Sequence, residues 1–85
     1  MNISRYRAAI RHPYAWPGGY PRYFICSDGE ALCFDCAKQN RRLILESLRD
    51  KSDDGWRVIA VDINWEDETL NCAHCYESIE SAYGD

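Results

Sequence analysis

Two pairs of cysteines constrain this chain more than any other feature: Cys33 and Cys36 in "LCFDC", and Cys72 and Cys75 in "LNCAHC". A chain of 85 residues buries only a modest share of its surface, so its core is thin and a staple helps it fold. Two cysteines separated by two residues grip one metal ion from a single tight turn, and two such pairs complete a tetrahedral shell. The 35 residues between Cys36 and Cys72 are long enough to leave the first pair and return. Iron is the alternative metal for the same four sulfurs. A redox role would call for one C-x-x-C pair at a helix start within a βαβ pattern, which this sequence lacks.

The opening "MNISRYRAAIRHPYAWPGG" has no apolar run resembling a signal-peptide core, and no later window reaches the length of a membrane span. The expectation is a cytoplasmic protein with no membrane partner. Disulfides rarely persist in a reducing compartment, and five cysteines suit four ligands plus one bystander. One structural Zn2+ on Cys33, Cys36, Cys72 and Cys75 is therefore the expected cofactor. Cys26 reads as a small buried residue, with replacement of one of the four ligands as its alternative. His74, inside the second turn, reads as a neighbour of the metal or a surface residue, and His12 as exposed or packed on an aromatic ring.

Charge is unevenly placed. Arg5, Arg7, Arg11 and Arg22 fall in the first 25 residues without a single acid, whereas seven acids and no Lys or Arg follow Arg57. The formal charge of −4 drops to about −6 once four thiolates and one Zn2+ are counted. Such asymmetry speaks of partners rather than of fold.

Along the chain, residues 1–11 suggest a short, weakly patterned helix that ends before Pro13. "HPYAWPGGYPRY" reads as extended or turning, without regular structure. "YFIC" and "ALC", joined by Ser27-Asp28-Gly29-Glu30, form a hairpin leading into the first cysteine pair. The longest helix is expected over residues 36–51, with Ile44 and Leu48 one turn apart. A strand "WRVIAVDINW" follows, with Ile59, Val61, Ile63 and Trp65 on one face, and "YESIESAY" reads as a last helix starting at the second cysteine pair. The predicted fold class is a small α+β, zinc-stabilised treble-clef or zinc-ribbon-like domain with a short β-sheet and two helices. Residues 1–85 form a single domain, and residues 1–22 a basic, aromatic, Pro/Gly-rich arm.

The blocks "HPYAWPGGYPRYF", "DGEALCFDC", "VDINWEDETLNCAHC" and "IESAYGD" resemble, in the same order, a family of small bacteriophage and prophage proteins of no assigned function. The resemblance runs from about His12 to the end, leaving Met1 to Arg11 as an addition. It implies a host bacterial cytoplasm, carries the metal-ligand role onto Cys33, Cys36, Cys72 and Cys75, and favours Cys26 as the bystander.

No catalytic set emerges: four cysteines close the metal shell, neither histidine has a nucleophile at a recognisable spacing, and there is no glycine-rich phosphate loop. The expected function is therefore non-enzymatic, a phage accessory protein that binds a host or phage protein and modulates or inhibits it. Tyr14, Trp16, Tyr20 and Arg22 are the candidate contact strip, because Trp, Tyr and Arg dominate interface energetics. The same strip has a plainer reading, as a wrap that completes the core. Nucleic-acid binding through the arm arginines, or mimicry of nucleic acid by the acidic C-terminal half, are the alternatives.

Overall fold

The computed structural model describes residues 1–15, 19–52, 54–67 and 69–81. It is a small α+β structure in which strand β2 (Tyr20–Cys26) pairs antiparallel with β1 (Tyr14–Ala15), β3 (Ala31–Leu32) and β4 (Val58–Ile63). The helices are α1 (Ile3–Ala9), α2 (Phe34–Gln39) and α3 (Arg41–Asp50).

Helix α1 starts where the Asn2 side chain accepts the Arg5 N–H at 2.8 Å, and it turns Tyr6 and Ala9, three residues apart, into the interior. Tyr6 is fully buried and donates its hydroxyl to the Ala37 carbonyl at 3.0 Å. Its ring meets Phe24 with centroids 5.6 Å apart, and Phe24 stacks on Phe34 at 4.5 Å. The N-terminal segment is therefore built into the core. The proline- and glycine-rich stretch likewise gains regular structure: Tyr14 faces Pro21 and Ala15 faces Tyr20 in a short ladder.

The Ser27–Glu30 turn closes as the sequence suggests. Cys26 N–H donates to Glu30 O at 2.9 Å, and Gly29 takes a φ of 85° that L-residues rarely adopt. The ladder beyond it sets Phe24 opposite Leu32. Between β2 and β4, Ile25 faces Ala60 but Cys26 faces Val58, so Ile59 has no opposite residue. This register shift corrects the expected face pattern. Val58 is fully buried, Val61 packs against the core, and Ile59 is left 46% exposed.

Two further expectations are corrected. The single helix over residues 36–51 is broken at Asn40, whose backbone (φ −110°, ψ 26°) leaves the helical region and whose side-chain amide donates to Cys36 O at 2.9 Å. Asparagine competes for nearby backbone groups in this way and so favours helix ends. α3 then buries Ile44, Ser47 and Leu48 along one stripe. The last helix is absent from residues 76–81. Asn71 instead bridges Ser78, Cys72 N–H donates to Glu77 O at 2.9 Å, and Ile79 N–H to Leu70 O at 2.8 Å, making a tight β-type return. Tyr76, with a φ of 62°, takes a left-handed conformation that a helix cannot accommodate.

Candidate metal centre

Hairpin β2–β3 delivers the first cysteine pair to the start of α2. Cys33 is the N-cap, extended in backbone, and its sulfur accepts the Cys36 N–H at 3.4 Å. Cys36 lies in the first turn and is buried beneath the helix. The free amides of such a turn favour negative charge on sulfur. The second pair sits at the tip of the 70–79 return, laid against β3 by a hydrogen bond from Ala73 N–H to Ala31 O of 2.9 Å. Cys72 is fully buried and its sulfur accepts two amides, from His74 and across the site from Cys33, both at 3.4 Å. Cys75 is exposed at the rim.

All four Sγ atoms lie within 4.8 Å of one another, and Cys33 and Cys75 approach to 3.8 Å. A tetrahedron with metal–sulfur bonds of about 2.3 Å has edges of about 3.8 Å, so the donor set is sized for one ion. The five cysteines are free of disulfides.

Electrostatics sets Cys72 apart from Cys33 and Cys36. Burial pushes Cys33 up to about 11 against the opposing Cys36 amide, and pushes Cys36 well above the ordinary thiol range, with neighbouring thiols adding to the effect. Burial raises Cys72 too, but there the amides of Cys33, Cys75 and His74 outweigh it and bring the thiol down to about 7. Cys72 is thus prepared to ionise, while the charge of a bound cation would supply what Cys33 and Cys36 need. The donor set can hold a metal ion.

The bystanders fall outside the cluster. Cys26 is 2% exposed in the core and its thiol is pushed up to about 11, mainly by burial. His74 gives only its backbone N–H to the site, and its ring lies against Trp56 with centroids 5.1 Å apart.

The candidate contact strip lies apart from the cysteines along the chain. Tyr14 is 58% exposed on β1, Tyr20 is half-buried with its ring 5.1 Å from Trp65, and the Arg22 guanidinium donates to His12 O at 3.3 Å. Trp16 falls outside the described residues. "NWED" forms a turn stitched to the last segment: buried Asn64 donates to Asp67 O at 2.8 Å and to Ile79 O at 3.0 Å.

Sequence reasoning missed a second cluster. Arg7 on α1 shares a groove with Lys38, Arg41, Arg42 and Arg49 of α2 and α3. The visible signal was the absence of Lys and Arg after Arg57. What it lacked was the packing of α1 beside α3, which joins the two basic stretches.

In comparisons with protein families, curated proteins and solved structures, the chain has no match. No helix among the described residues is long and apolar enough to cross a membrane.

Proposed function

We propose that this chain is a non-enzymatic binding module stapled by one structural zinc ion held on Cys33, Cys36, Cys72 and Cys75. The observation that carries the reading is the convergence of four thiols from two distant segments, with sulfur separations suited to a tetrahedral ion. Zinc is preferred over iron because a small all-thiolate site joining a helix start to a tight turn is the common architecture of structural zinc. A treble-clef-like reading draws support from one cysteine pair at a helix start and the other in a tight turn, in the reverse of the usual chain order. Four sulfurs close the shell and leave no position for substrate, which argues for binding over catalysis.

The partner is a macromolecule, met in a reducing cytoplasm. The exposed Tyr14 and the neighbouring Tyr20 and Arg22 support a host or phage protein as partner, Trp16 joins them on sequence grounds, and the phage accessory setting rests on sequence resemblance alone. A second reading, nucleic acid, is favoured by the basic groove beside α1.

Elemental analysis of protein purified without added metal should find one zinc per chain and little iron. Cys33→Ser should lose the metal and the cooperative melt, while Cys26→Ala keeps both. A fully folded metal-free chain would sink the staple.

A further inference from the structure

Three grooves surround α1, and together they gather nearly all of the positive charge. The groove against α2 and α3 carries Arg7, Lys38, Arg41, Arg42 and Arg49. Its neighbour, toward the start of β4, shares Arg49 and adds Lys51 and Arg57. The third, over β4, adds Arg5 and Arg22. Nine of the chain's ten Lys and Arg residues therefore line these surfaces, against one acid among the described residues, Glu46. That acid lies 3.7 Å from Arg42. Arg7, Lys38 and Arg41 are exposed and form no ion pair among the described residues. The contrast is the cleft beside the second cysteine pair, lined by Asp28, Glu30 and Asp54 with no Lys or Arg.

From this segregation we infer that the face around α1 binds the phosphate backbone of duplex DNA without reading sequence. This deepens the nucleic-acid reading and rests on the binding-module reading. The net charge, −4 formally and about −6 with zinc on four thiolates, does not oppose it, because exposed charges farther than about 8 Å are largely screened at physiological salt and the local field decides. Seven of the nine cations are arginines, whose planar fork pairs with phosphate oxygens two at a time. The lining also says which nucleic acid. It holds no Phe, Tyr or Trp on which unpaired bases would stack, which disfavours single strands. It is cationic rather than rich in the uncharged hydrogen-bonding groups that meet 2′-hydroxyls, which disfavours duplex RNA.

The test is fluorescence anisotropy of the zinc-loaded protein with a labelled random-sequence DNA duplex, a single strand, an RNA duplex and polyglutamate. The DNA duplex should bind tightest, with log K falling linearly with log salt. Arg7→Glu/Lys38→Glu/Arg41→Glu should weaken it by about a hundredfold or more at low salt, and Arg7→Ala, Lys38→Ala and Arg41→Ala should each lower the salt slope by about one. Arg7→Lys should keep most of the binding, as should Glu77→Gln/Glu80→Gln away from the grooves. Zinc content and melting temperature, measured on every variant, separate lost binding from lost fold. No salt-dependent binding by a folded, zinc-loaded chain would overturn the DNA inference and leave the zinc module standing. Equal or tighter binding to single strands, RNA duplex or polyglutamate would overturn the choice of duplex DNA, as would full binding by the charge-reversed variant.

Discussion

The two cysteine pairs share a spacing and little else. The first is carried by a helix whose underside is welded to the core through Tyr6, Phe24 and Phe34, with Cys36 buried beneath it. The second rides on a return held by backbone hydrogen bonds, with Cys75 and Tyr76 exposed, and its chief anchors are the buried Cys72, Ile79 and the Asn64 amide. One half of the site is a product of packing, and the other depends on being tied down. A metal would therefore matter unequally to the two halves: it would add to a platform that already exists on one side and tie down the other.

The largest effect should come from removing the tie. Zinc binding to thiolate sites of this kind is worth on the order of 10 kcal/mol, comparable to the whole stability of a small domain. After chelation, hydrogen exchange should rise first and most at Leu70–Ile79, while amides of β2 and α3 keep more protection. Uniform exchange in both halves would break the comparison. Cys72→Ser should mimic chelation, because this sulfur takes amide donors from both halves of the site.

A smaller effect tests the packed half alone. Burial raises Tyr6 from 10.0 to about 12, with Arg41 opposing, so the fold favours the neutral phenol. Its contribution is fully present below pH 10 and is lost as pH climbs from 10 to 12, a decline of about 2 to 3 kcal/mol in unfolding free energy. Tyr6→Phe should cost about 1 kcal/mol at neutral pH, through the lost bond to Ala37, and should flatten that alkaline decline. Denaturant melts at a series of pH values read both outcomes. An unchanged alkaline slope in the variant would place the sensitivity elsewhere.

The smallest effect belongs to the tied half. Tyr76 holds a φ of 62° and is 78% exposed, so the conformation costs about 1 kcal/mol with little packing in return. Tyr76→Gly should therefore raise the melting temperature of the loaded protein by a few degrees. A fall would show that the exposed ring does more than the backbone argument allows.

These differences also explain what the sequence made legible. The β2–β3 turn was readable because Asp28-Gly29 is a strong local signal, and the four-cysteine set because its spacing is nearly self-sufficient. Ile59 was misplaced because a register shift moves a residue between faces without altering alternation in the sequence. "YESIESAY" has reasonable helical composition, yet the Asn71–Ser78 bridge and the left-handed Tyr76 belong to the turn that presents Cys72 and Cys75. Tertiary demand overrode local preference there. The basic grooves were hidden for a further reason: they join cations from α1, α2, α3, β2 and the segment before β4, whose adjacency only the packed fold creates.

The break at Asn40 has a mechanical meaning. An unbroken helix from Phe34 to Asp50 would be a rod of about 25 Å with Cys36 near one end, and any push on its far end would swing the sulfur like the short arm of a lever. With the joint at Asn40, the piece that carries Cys36 is only about 9 Å long and is clamped by the Tyr6 bond to Ala37. Arg41, Arg42 and Arg49 lie beyond the joint, on the separate segment α3. A load taken up by Arg41, Arg42 or Arg49 can be absorbed at Asn40, whereas one on Lys38 falls on the short helix that carries Cys36.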